Sequence, residues 1–129
     1  MTRGERLNNP GNIRHNPSVI WQGQALDQPD PAFVKFIDPQ HGFRAMAEIL
    51  NNYKNRDGVL TYAGAISRYS PPSENDTADY ITDVCKACGV QPGDDFVVGF
   101  PLLRAITDHE QGVPNIFTDD MINQGIALL

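Results

Sequence analysis

The stretch Leu103-Arg104-Ala105-Ile106-Thr107-Asp108-His109-Glu110-Gln111-Gly112 decides how this chain is read. Leu103, Ile106 and Glu110 stand at i, i+3 and i+7, which is one stripe of a helix. A carboxyl therefore falls in line with the apolar residues. Gly112 follows, and a glycine just past the last periodic residue stops a helix. The expected helix covers about 97–110. A carboxyl on its apolar stripe is partly desolvated and lies at the negative end of the helix dipole, and both disfavour its charged form. A proton donor working near neutral pH needs that environment. The alternative is a glutamate facing water at a frayed helix end.

Helical signals dominate on both sides. Asp38-Pro39 is a cap followed by proline in the first turn, and Phe43, Met46, Ala47, Leu50 and Tyr53 form one face of a helix reaching Asn55. A further helix is expected over 60–69, with Leu60, Ala63, Ile66 and Tyr69 inward and Pro71-Pro72 closing it. Another starts after Ser73-Glu74-Asn75-Asp76-Thr77, a run of good caps. It turns Tyr80, Ile81, Val84, Cys85 and Cys88 inward and stops at Gly89. The last covers about 118–128 behind the cap Thr118. Residues 1–17 read as a loop or short helical turn. Val19-Ile20-Trp21-Gln22-Gly23 and Ala32-Phe33-Val34-Lys35-Phe36-Ile37 read as a small antiparallel β-hairpin. The expected fold is a single α+β domain over 1–129, mainly α.

Composition narrows the function. A chain of 129 residues, 40% hydrophobic and 20% charged, fits one soluble core. A net charge of −6 speaks against nucleic acid and against unaided binding to anionic membranes. No apolar run approaches the roughly 18 residues a bilayer span needs. The start, Met1 to Arg14, has no apolar stretch of the kind a signal peptide carries. The lone Cys85-Lys86-Ala87-Cys88 lacks further ligands for zinc, so it reads as two buried free thiols. His15, His41 and His109 are scattered, and no metal or other cofactor is implied.

Beyond Glu110, the chain resembles the lysozyme-like lytic transglycosylases. The helix ending in Glu110 is similar to the one that carries their catalytic glutamate. Asn8-Asn9-Pro10-Gly11-Asn12-Ile13-Arg14 resembles their substrate loop, and Phe33-Val34-Lys35-Phe36-Ile37-Asp38 with Gly42-Phe43-Arg44-Ala45-Met46 resembles the strand and helix after it. Arg68-Tyr69-Ser70-Pro71-Pro72 resembles their Tyr-Asn-Ala-Gly segment, with Ser70 in place of the asparagine. Asn75-Asp76-Thr77-Ala78-Asp79-Tyr80-Ile81-Thr82-Asp83-Val84 resembles their Glu-Thr-x-x-Tyr-Val helix. The order is that of a circular permutant, with the loop ahead of the glutamate. Small phage virion lysins begin with a similar Arg3-Gly4-x-Arg6-x-Asn8-Asn9-Pro10-Gly11 and end with a similar His109-Glu110-x-Gly112.

The resemblance implies cleavage of the MurNAc–GlcNAc β-1,4 bond of peptidoglycan by a lytic transglycosylase or muramidase, made by a phage or carried in its virion. It would act on the cell wall, with glycan strands and other virion proteins as partners. Glu110 would be general acid and then base, the sugar's own groups replacing a second carboxylate. Tyr69 would position the N-acetyl group, or else is a core tyrosine. Asn9, Gly11 and Asn12 would wall the groove, or else make an ordinary turn. Arg3, Arg6 and Arg14 could meet carboxylates of the substrate, and Glu5 reads as an exposed partner of Arg3 or Arg6. Glu74 and Asp76 form the rival carboxylate site, with Asn75 between them as a substrate-binding residue; capping a helix is the plainer role for that segment. The rival function is a virion structural or wall-binding protein that kept the fold without activity.

Overall fold

The computed structural model describes residues 1–72 and 76–129. They form six helices: α1 (Arg3–Arg6), α2 (Pro39–Asn55), α3 (Tyr62–Tyr69), α4 (Thr77–Cys88), α5 (Phe100–Gln111) and α6 (Asp119–Ala127). Short side chains begin nearly all of them. The side chains of Asp38, Thr61, Asp76 and Thr118 accept from the third residue on, and Gly89 and Gly112 end α4 and α5 in the left-handed conformation. The first segment is a helical turn closed by a capping box. The Thr2 side chain accepts from the Glu5 N–H, and Glu5 accepts from the Thr2 N–H at 2.8 Å. Glu5 is thus a cap, where an ion pair with Arg3 or Arg6 was expected.

α2 is the central element. Phe43, Met46 and Leu50 are fully buried on one side of it, and each such side chain contributes about 1.5–3 kcal/mol by leaving water. α6 lies tightly on α2. A Cβ on Gly125 would stand 2.5 Å from the Phe43 Cβ and 2.7 Å from the Gln40 carbonyl, so only glycine lets the two backbones approach. Phe117 meets Phe43 edge-on at 5.7 Å. α4 rests on α5 and on α3, with Tyr80, Val84 and Cys85 buried. The face of α3 differs from the expected one. Tyr62, Ala65 and Ile66 are buried, while Leu60 lies ahead of the helix and is 60% exposed.

The hairpin is reduced to isolated antiparallel bridges, Arg14 with Phe33 and Gln24 with Phe36. Backbone bonds such as Ala25 N–H to the Lys35 carbonyl join the segments singly, and side chains take other groups a ladder would use. Gln28 accepts from the Lys35 N–H and donates to its carbonyl, at 2.9 and 2.8 Å. Asp30 accepts from the N–H groups of Ala32 and Phe33. Pro29 and Pro31 have no N–H to offer. The segment is compact but is not a sheet, and among the described residues the fold is mainly α.

Candidate functional site

The 8–14 loop is built from asparagines. Asn9 is fully buried. Its amide donates to the carbonyls of Ile13 and Val34, at 3.0 and 2.8 Å, and its oxygen accepts from the Ile13 N–H. Both of its donors go to backbone carbonyls, so Asn9 ties the turn to Val34, and it is not among the residues lining the cleft described below. Asn12 has φ of +50°, a left-handed value that asparagine tolerates better than most residues. That backbone turns its side chain back toward the end of α5.

There the N-terminal segment meets the end of α5. The Asn12 amide donates to Glu110 Oε1 at 3.0 Å and to the Glu110 carbonyl at 3.2 Å. Buried Gln111 donates to the Pro10 carbonyl at 2.9 Å and accepts from the Thr2 hydroxyl at 2.6 Å. Tyr80 of α4 donates to Glu110 Oε2 at 2.7 Å. Glu110 is half-buried, and both its oxygens are held by donors from other elements. The site is therefore more polar than the dry apolar stripe expected from spacing. Burial first, and then the Glu110 charge, hold the Tyr80 hydroxyl well above its ordinary value of 10.0. It remains a donor throughout the neutral range. His109 stacks on the Tyr80 ring at 3.7 Å and meets Asp83 through Nδ1 at 3.2 Å.

Tyr69 donates its hydroxyl to the Gly11 carbonyl at 2.6 Å. Gly11 is buried beneath it, and a Cβ there would come within 2.2 Å of that hydroxyl and 2.6 Å of Met46 Cγ. Burial, then the nearby Glu110 charge, also push the Tyr69 hydroxyl well above 10.0. Its proton is committed to the loop, so lone pairs are what it can offer a ligand.

These groups open onto a cleft of about 560 Å³. Gly11, Asn12, Arg14, Tyr69 and Glu110 all line it, as expected from sequence. So do Trp21, Asn52, Tyr53, Asp57 and Arg68, which the sequence did not mark. Trp21 was read as a strand residue, and Tyr53 as a plain member of the α2 face. Burial raises the Tyr53 hydroxyl to about 12. Asp57 is the second carboxylate of the cleft among the described residues, paired with Arg68 at 3.0 Å. Glu74 and Asn75 lie outside the described residues, while Asp76 caps α4. Cys85 and Cys88 are free thiols on the inner side of α4.

The site thus defines a mainly α domain with an open polar cleft organised around one glutamate and the loop that clasps it. No family model matches the sequence. The chain is 37% identical over 129 residues to Protein P5 of Pseudoalteromonas phage PM2, an alignment covering 95% of this chain and 79% of that protein. At that identity and coverage the chain belongs to the Protein P5 family, a bacteriophage protein family.

Proposed function

We propose that this protein is a permuted lysozyme-like enzyme that cleaves the MurNAc–GlcNAc β-1,4 backbone of peptidoglycan, for phage entry or host lysis. The single observation that carries this reading is the clasp on Glu110. The Asn12 amide, 98 residues away in sequence, donates to the carboxyl at the wall of the cleft. The glycan-cleaving resemblance requires such a meeting of substrate loop and glutamate helix.

The chemistry follows from who donates. Tyr80 keeps its proton and makes Oε2 an acceptor. The Asn12 amide does the same for Oε1. Protonation of the glycosidic oxygen leaves a carboxylate, and both its oxygens already face donors, so charge develops where dipoles are in place. The carboxylate then recovers a proton from the attacking group, a water or the sugar's own 6-hydroxyl. The second route needs no second carboxylate and yields a 1,6-anhydro sugar. Trp21 and Tyr53 supply aromatic wall, and Asn52 polar wall, for a saccharide.

Glu110→Gln tests the proposal. The glutamine oxygen can still accept from Asn12, and the Tyr80 hydroxyl can turn to accept from the glutamine amide, so folding is retained while the transferable proton is lost. Turbidity clearing of purified sacculi should fall at least about 10²-fold at an unchanged melting temperature. Mass spectrometry of the digest separates anhydro ends from reducing ends. A wild-type protein that leaves sacculi intact, or a Gln variant that clears them normally, refutes the proposal. The first of these results would point to a structural or wall-binding protein.

A further inference from the structure

The cleft carries three arginines that are not equivalent. Arg68 is matched by Asp57 at 3.0 Å. Arg3 and Arg14 make no ion pair among the described residues, and both sit on one ring. The guanidinium carbon of Arg3 lies 3.5 Å, and that of Arg14 4.8 Å, from the Phe33 centroid. All three residues line the cleft. Arg6, the third arginine of the N-terminal segment, does not line it.

The ring is a rigid mount. Phe33 is 8% exposed, its N–H is held by Asp30, and it bridges to Arg14. It brings two like charges within about 8 Å of each other, where they repel unless an anion joins them. Asp30 does not serve as that anion. The N–H groups of Ala32 and Phe33, and then the fields of Arg3 and Arg6, hold its carboxyl below the usual range, yet it makes no ion pair with Arg3. Two guanidinium forks lining an open cleft match a planar, bidentate acid. On a molecule of net charge −6, such a pair is a local reversal of sign.

We propose that Arg3 and Arg14, mounted on Phe33, form a clamp for the carboxylates of the peptide branches on the glycan, so that the protein prefers peptide-bearing strands over bare ones. This rests on the glycan-cleaving reading of the same cleft.

The test uses the full chain carrying Glu110→Gln, so that binding is read without turnover, on intact sacculi and on glycan strands stripped of peptide by an amidase and then amidated at the lactyl carboxyl which that hydrolysis exposes. The parent should co-sediment about ten-fold more tightly with intact sacculi, the scale of one charge-assisted contact. Added salt should narrow that difference. Arg3→Ala with Arg14→Ala should bring binding to intact sacculi down to the stripped level and leave stripped-strand binding unchanged. Because Arg3 belongs to α1, Arg14→Ala alone is the second variant, with a smaller loss in the same direction. Equal binding of the parent to both substrates, or an equal loss on both in the arginine variants, overturns the clamp. The two proposals fail separately. A wild type that cleaves both substrates alike refutes only the clamp. A wild type that cleaves neither, while the binding preference persists, refutes only the enzyme.

Discussion

Replacing Asn12 separates what its backbone costs from what its side chain contributes. Asn12 holds φ at +50° and gives one amide to two oxygens of Glu110. Asn12→Gly accepts the left-handed backbone freely and loses only the side-chain bonds. One of those bonds meets a carboxylate, so the loss comes to about 2 kcal/mol. Asn12→Ala loses the same bonds and adds roughly 1 kcal/mol for a Cβ in the left-handed region. For 129 residues the unfolding entropy near the midpoint is about 0.27 kcal/mol/K. The glycine variant should therefore melt about 7 °C below wild type, and the alanine variant about 11 °C below it. Asn12→Asp tolerates the backbone but sets an anion against Glu110, and it should fall below the glycine variant at pH 7. Differential scanning calorimetry reads all three. The reasoning fails if the glycine variant melts with the wild type, since the clasp would then contribute nothing. It also fails if glycine and alanine coincide, since the backbone argument would then be empty.

Two further outcomes follow from the loop and from the tyrosines. Gly11→Ala drives a Cβ into the Tyr69 hydroxyl and Met46. Overpacking of about 1–3 kcal/mol should lower the melting midpoint, and Tyr69→Phe combined with it should recover part of the loss by removing the oxygen that clashes; no recovery would place the strain elsewhere. At alkaline pH, Tyr53, Tyr69 and Tyr80 all ionise later in the folded than in the unfolded chain. The unfolded state then releases protons first, so stability is intact below pH 10.0 and falls as the pH rises above it. The Tyr53 share is lost by about 12 and amounts to about 2–3 kcal/mol. Urea unfolding at pH 9, 10 and 11 checks the sign, and a midpoint that does not fall across that series would contradict the burial of these rings.

The helices were legible because their signals are local. Asp38, Thr61, Asp76 and Thr118 cap where short oxygen-bearing side chains should, and Gly89 and Gly112 stop α4 and α5. The inward face of α4 agrees with its spacing. Leu60 misled because the helix begins later, at Tyr62, and so turns another face inward. The hairpin misled because β-rich composition says nothing of side chains such as Gln28 and Asp30, which capture the backbone first. Glu110 stood out by its position on a stripe. Its partners did not. Tyr80 looks like any core residue of α4, and nothing in its spacing reveals a hydroxyl aimed at α5. Asn9 and Asn12 share one motif and similar chemistry, yet one faces inward to brace and the other outward to hold Glu110. Backbone conformation makes that distinction, and composition does not carry it.

The knot of contacts at Thr2, Pro10, Asn12, Glu110 and Gln111 fixes the time at which this cleft can exist. A ribosome delivers the loop first and its counterpart roughly a hundred residues later. Until α5 has emerged, the early asparagines have nothing to clasp. Closing so long a span also makes the final assembly step slow compared with forming the helices. Nascent and truncated chains should therefore carry a half-built groove, and competence should arrive abruptly, once α5 is free to dock.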